Sequence, residues 1–164
     1  SFLLPLASNN NGCAVAISSI GAAVGGDQDL INCLLEDNIE DARSIINASF
    51  NSNPTEAGIV TYSSCKVAVA LYVRRNAQHW AEAGVRLNCV APGRMETAML
   101  DGLLSHNEIA PGIEALPVGV AKSASASQVA RAVDFFLKPA SSFVHGQILY
   151  VDGGSEALLR PHVI

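Results

Sequence analysis

The chain has 164 residues, 49% of them hydrophobic and 15% charged, with a formal net charge of −5. That length suits one domain able to bury roughly 70% of its unfolded surface, and a charged fraction below the usual ~25% excludes a disordered or coiled segment. Ten Lys and Arg against fifteen Asp and Glu, without a basic cluster, argue against nucleic acid or an anionic membrane as partner.

Taken in chain order, Phe2–Ala7 is apolar but lacks the basic start of a signal peptide. Ser1–Ala7 reads as the tail of an element already under way, since the chain opens at Ser1 without Met. No apolar run approaches the ~20 residues of a membrane span. Asn9–Gly12 forms a turn, and the unbroken apolar run Cys13–Ile17 predicts a strand buried on both faces, as in parallel sheets. Ser18 and Ser19 follow, then a glycine-rich stretch, Gly21–Gly26. The acidic, helix-favouring region Asp29–Phe50 is broken at Asn51–Pro54. A long helix is expected from about Ser63 to Ala83, apolar nearly all round in its first half, with Gly84 as its C′ residue. Trp80 reads as a packing anchor on it.

Val85–Ala91 predicts a second strand, stopped by Pro92-Gly93. Residues 94–124 read as a loop-rich segment holding Pro111, Pro117 and short apolar pieces such as Met99–Leu104. Ser125 and Gln128 have capping-box spacing, so a helix is expected from Ala126 to Lys138, ending at Pro139. Gln147–Val151 is the last predicted strand, closed by Asp152-Gly153-Gly154. Strands alternating with helices at these spacings predict an α/β fold with a parallel sheet and right-handed crossovers.

The cysteines Cys13, Cys33, Cys65 and Cys89 lack any C-x-x-C pair and sit in apolar surroundings. They read as buried small hydrophobes of a reducing compartment, which predicts a cytoplasmic location. His79, His106, His145 and His162 are scattered without metal-ligand spacing, so no metal site is expected. The acidic stretch Asp27–Asp41 reads as a solvated helical face.

Tyr62 and Lys66, at i and i+4 near the predicted start of a helix, share one face. A free phenol ionises near pH 10 and is no base at neutrality. An ammonium within a few Å stabilises the phenolate, which can then take a proton from an alcohol or return one to a carbonyl. The pattern alone is short, and a helix-end Tyr beside a solvated Lys is its ordinary meaning. Context adds to it, because Ser19 and Pro92-Gly93 close two strands, and strand C-termini in parallel sheets face the ligand crevice.

The strings Thr61-Tyr62-Ser63-Ser64-Cys65-Lys66, Gly84-Val85-Arg86-Leu87-Asn88-Cys89-Val90-Ala91-Pro92-Gly93 and Gly146–Gly154 together resemble the short-chain dehydrogenase/reductase family, from about Asn11 to the end. Within it, the long stretch between Ser19 and Tyr62 and the tail Leu158-Leu159-Arg160-Pro161 resemble the bacterial 3α-hydroxysteroid dehydrogenase/carbonyl reductase group. The resemblance implies the C-terminal part of a doubly wound, Rossmann-like sheet in one partial domain, with a helical insertion over 21–58 and a substrate loop over 98–122. It implies NAD or NADP as cofactor, a small apolar alcohol or ketone as substrate, and a homo-oligomer in the full-length form. Tyr62 would be the general acid/base, and Lys66 would bind the nicotinamide ribose and make the phenol more acidic. Ser19 would orient the substrate oxygen, with Ser18 pointing to the opposite face of the strand. Pro92 and Gly93 would pass close to the nicotinamide, while Thr97 and the Met95 backbone would hold its carboxamide. Met95 stands where a β-branched residue is commoner.

The glycine-rich phosphate-binding turn of such folds does not occur in the chain, and Gly25-Gly26 and Gly153-Gly154 lack its spacing. The residue that selects NAD or NADP and the family's relay asparagine are likewise missing. The chain is therefore expected to be the C-terminal portion of an enzyme. An alternative is a catalytically silent member that serves as a binding or assembly module. Expressed alone, the 164 residues are expected to be poorly soluble, through the unpaired edge of the Cys13–Ile17 strand, and to lack dinucleotide affinity. Fluorescence titration with NAD(H) checks this, and micromolar binding would contradict it.

Overall fold

Cys13–Ile17 forms strand β1 in the computed structural model, which describes residues 12–163. The expected Ser1–Ala7 tail and most of the Asn9–Gly12 turn lie outside the described residues. After β1 come the helices α1 (Gly21–Val24), α2 (Gln28–Leu35), α3 (Ile39–Ser52), α4 (Pro54–Arg75) and α5 (Ala77–Glu82). Strand β2 (Arg86–Pro92) and the short β3 (Met95–Glu96) are followed by α6 (Ala98–Leu104) and α7 (Ala110–Glu114). The chain then forms β4 (Ala124–Ser125), α8 (Ala126–Leu137), a 3-10 turn at Pro139–Ser141, β5 (Ile148–Val151) and α9 (Ser155–Leu159).

Among the described residues, the main sheet is parallel with order β1-β2-β5. Cys13 pairs with Arg86 and Ile17 with Val90, while Cys89 pairs with Ile148 and Pro92 with Val151. A second small parallel ladder joins β3 to β4. Side chains alternate across the pleat of the main sheet. Leu87 and Cys89 of β2 join Val73 of α4, Trp80 of α5 and Val85 in one buried cluster, with Ala14 and Ala16 packed against it. On the opposite face, α8 covers β1, β2 and β5 and buries Phe136. Helices on both faces of a parallel sheet make this a doubly wound arrangement.

Short polar side chains set the helix starts in the acidic region. Asp27 accepts from the Leu30 N–H, and Asn38 from the Asp41 N–H. The remaining acidic side chains of α2 and of α3's first turn are solvent-exposed, as expected of a solvated face.

The helix carrying Tyr62 begins earlier than its apolar run suggests. Asn53 caps α4 by accepting from the Glu56 N–H and donating to the Glu56 carboxylate, with Pro54 in the first turn. Tyr62 is therefore mid-helix rather than at a helix start. The expected single helix through Ala83 divides at Asn76, whose amide donates to the Tyr72 carbonyl. Gly84 takes φ +73° just past α5, as a C′ glycine should. The residues 94–124, expected to be rich in loop with short apolar pieces, contain α6, α7 and β3, and β3 pairs with β4 at Ala124–Ser125. Ser125 does precede α8, yet its hydroxyl pairs with Ser127, so the expected capping box is not made.

Two burial expectations also change. β1 is half-buried, with Ile17 45% exposed, because only β2 pairs with it among the described residues. Of the four cysteines, only Cys89 is buried; Cys13 lies on the edge strand, and Cys33 and Cys65 lie on partly exposed helix faces.

Burial holds the Cys89 thiol above its ordinary value of 9.0, against smaller opposing effects of the Ser18 backbone and Lys66. The unfolded chain loses this proton first, so it binds fewer protons than the folded one above pH 9.0. Stability therefore falls as pH rises from there through the folded value. Denaturant unfolding between neutral and strongly alkaline pH is expected to show a shallower decline for Cys89→Ala, from a lower starting stability. An unchanged slope would contradict this.

Candidate active site

The three strand tips meet at one edge of the sheet. Beyond β1 the chain stays paired to β2, with the Ser18 N–H donating to the Val90 carbonyl at 2.8 Å and the Ile20 N–H to the Pro92 carbonyl at 2.7 Å. Ser19 is thereby held beside the end of β2. On the far side, the Gly93 N–H donates to the Val151 carbonyl at 3.0 Å. A Cβ at Gly93 would lie 2.6 Å from Asp152 Cα, so only glycine permits this approach.

Four side-chain contacts link the predicted residues across α4 and the Ser19 turn. Ser19 is buried, and its Oγ accepts from the Gly21 N–H at 3.1 Å. That leaves the hydroxyl proton free to be donated elsewhere. The Tyr62 ring covers Gly21, where a Cβ would stand 3.2 Å from Cε1. Lys66 Nζ lies 5.6 Å from the centroid of the Tyr62 ring and donates to the Ile17 carbonyl at 3.3 Å. Ser18 points elsewhere, its hydroxyl donating to the Lys66 carbonyl at 2.7 Å. The sequence-predicted Ser19, Tyr62 and Lys66 thus lie along one chain of contacts at the C-terminal edge of the sheet.

The donor set suits a group rich in hydroxyls. Lys66 has three N–H donors, and among the described residues only the Ile17 carbonyl accepts from it. Tyr62 is 43% exposed, and its hydroxyl has no hydrogen-bond partner among the described residues.

Met95 and Thr97 sit further out. Met95 pairs with Ala124 in the small ladder. Thr97 caps α6: its hydroxyl donates to the Met95 carbonyl at 3.2 Å and accepts from the Leu100 N–H at a long 3.5 Å.

Several residues that hold this edge in place went unnoticed in the sequence. Asn88 is almost wholly buried; its amide donates to the Val144 carbonyl and its oxygen accepts from the Gln147 N–H, both at 3.0 Å. The Arg94 guanidinium donates to the Ile113 and Leu116 carbonyls, which pins the segment containing α6 and α7 to the end of β2. Its far end is tied by the Val120 N–H to the Gly153 carbonyl and by the Ser155 hydroxyl to the Pro117 carbonyl. The only available signal was a polar residue inside an apolar strand string, as at Asn88. The backbone partners are invisible before folding.

The chain belongs to the short-chain dehydrogenase/reductase family of oxidoreductases. A family model described as enoyl-(acyl carrier protein) reductase matches residues 28–156. The chain is similar to a 3-alpha-hydroxysteroid dehydrogenase/carbonyl reductase of Comamonas testosteroni, at 34% identity over 162 residues, covering 98% of this chain and 62% of that protein. In structure it is similar to the 3-alpha-hydroxysteroid dehydrogenase of Pseudomonas sp. B-0831 complexed with NADH, with TM-score 0.87 and 29% identity, covering 99% of this chain and 63% of that one. It is also similar to a putative NAD(P) dependent gluconate 5-dehydrogenase of Beutenbergia cavernae with bound NADP. There the TM-score is 0.63 and the identity 28%, covering 94% of this chain and 49% of that one. The chain thus spans about three fifths of the length of the first two relatives. Among the described residues, no helix is long and apolar enough to cross a membrane.

Proposed function

We propose that the whole protein interconverts a secondary alcohol and its ketone with NAD or NADP. The observation that carries this reading is the run of contacts Ser19–Gly21–Tyr62–Lys66 at the edge where the strand tips meet. When bound, the nicotinamide supplies or accepts the hydride. The Tyr62 hydroxyl gives a proton to the carbonyl oxygen during reduction and takes it back from the alcohol during oxidation. Lys66, beside the Tyr62 ring, would offer its two remaining N–H groups to the ribose hydroxyls. Ser19 donates its free proton to the substrate oxygen, its own oxygen being fixed by Gly21. Pro92 and Gly93 present backbone to the nicotinamide. Thr97 and the Met95 backbone would hold its carboxamide.

An apolar, hydroxysteroid-like substrate is supported by the similarity to hydroxysteroid dehydrogenases and by the exposed apolar side chains of the 98–122 segment, among them Met99, Leu104, Val118 and Val120. The insertion over 21–58 and a homo-oligomeric assembly belong to the same reading. Supplying the whole protein with NAD+ or NADP+ and a panel of hydroxysteroids and cyclic secondary alcohols tests it. Formation of reduced cofactor with at least one alcohol is expected. Absence of turnover across the panel, with the cofactor shown to bind, would favour a silent binding module.

A further inference from the structure

Ser18 has no place in the reaction just described, yet it makes one of the most direct links between the sheet and the Tyr62 helix. It is 3% exposed, and its hydroxyl donates to the Lys66 carbonyl at 2.7 Å. The link is returned in the other direction, since the Lys66 ammonium donates to the carbonyl of Ile17, the residue before Ser18. Strand hydroxyl to helix backbone, and helix ammonium to strand backbone, tie the same two segments twice.

The Lys66 carbonyl lies inside α4, where a helical i to i+4 bond occupies one lone pair. Ser18 uses the second, so the helix does not need this hydroxyl for its own completion. What the contact sets is position. A lysine ammonium rides on a flexible four-carbon stem, and its location depends on where its own backbone is held. The Ser18 bond fixes that backbone, at the residue whose Nζ stands 5.6 Å from the Tyr62 ring centroid.

We infer that Ser18 is a positioning residue for the Tyr62–Lys66 pair: its hydroxyl clasps the Lys66 backbone to the tip of β1 and so sets the ammonium beside the Tyr62 ring. This rests on the reading of Tyr62 and Lys66 as the proton-handling pair. Ser18 acts through Lys66 and touches neither substrate nor cofactor in this account.

A double-mutant cycle read by NMR tests the clasp without requiring turnover. The spectra are taken on the whole protein with ring-labelled tyrosine, and the signal lost in Tyr62→Phe is that of Tyr62. Lys66→Met is expected to shift the Tyr62 resonance. Ser18→Ala should shift it the same way by a comparable amount and add little in the Lys66→Met background, because both changes remove the same influence. The Tyr72 and Tyr150 signals should stay in place, and Ser18→Thr, which keeps the hydroxyl, should restore the Tyr62 signal. Where Ser18→Ala does not fold, Ser18→Cys, with its weaker donor, replaces it.

In the whole protein, Ser18→Ala should lower kcat by about 10- to 100-fold, the scale of a misplacement of about 1 Å, with KM little changed. An unmoved Tyr62 signal, or additive effects of the two substitutions, overturns the clasp while leaving the catalytic reading intact. Normal turnover in Tyr62→Phe overturns the catalytic reading and with it the role given to Ser18.

Discussion

Tyr62→Phe is expected to lower kcat of the whole protein for alcohol oxidation by about two to four orders of magnitude, the usual contribution of a positioned acid or base. KM and melting temperature should scarcely change. The ring edge that covers Gly21 remains in the variant, and the deleted hydroxyl has no hydrogen-bond partner among the described residues whose loss would weaken the fold. A stability cost should therefore not obscure the kinetic one. Steady-state kinetics beside a thermal melt separates the two. Turnover within a few-fold of the parent would end the role given to Tyr62.

The second large effect concerns stability. Asn88→Leu puts a larger apolar side chain in this buried site and leaves the Gln147 N–H without its acceptor and the Val144 carbonyl with only a 3.4 Å contact from Arg86. Each backbone group stranded in the interior costs about 1–3 kcal/mol. A total loss of roughly 2–5 kcal/mol is a large share of the ~5–15 kcal/mol that holds a typical domain together. For a chain of this size that corresponds to about 5–15 °C in melting temperature. The damage should fall on the docking of β5 against β2, and hence on the approach of Gly93 to Asp152. Urea unfolding of the variant and its parent measures it, and a loss below about 1 kcal/mol would contradict the assignment.

Much of this architecture was legible before folding was considered. Apolar runs bounded by turn residues mark both strands, and the structure places β1 at Cys13–Ile17 itself and β2 at Arg86–Pro92, one residue on from the expected Val85–Ala91. The start of the Tyr62 helix does not show in apolar periodicity because its first turns, Pro54–Thr61, lack a strong apolar stripe. Asn53, Pro54 and Glu56 carried the capping signal instead. The division at Asn76 reflects an amide competing for a helix carbonyl, an interaction that periodicity does not register. Cys13, Cys33 and Cys65 were expected to be buried because their neighbours in sequence are apolar. Burial is decided by neighbours in space, which edge strands and outer helix faces do not supply.

The candidate site divides in the same way. Tyr62, Lys66, Ser19 and Pro92-Gly93 could be named because their residue types and order carry a recognisable chemistry. The hydroxyl of Ser18 on the Lys66 carbonyl, the amide of Asn88 between two backbone groups and the guanidinium of Arg94 on the α6–α7 segment could not. Each acts on main-chain atoms far away in sequence, and a main-chain atom leaves no trace in residue identity.

The most direct test of the account is a crystal structure of the whole protein with NADH and a cyclic ketone bound. The account predicts the ketone oxygen within hydrogen-bonding distance of both the Tyr62 and Ser19 hydroxyls, with Lys66 Nζ on the ribose. A ketone bound away from these two hydroxyls, or a Tyr62 side chain turned from the cofactor, would contradict it.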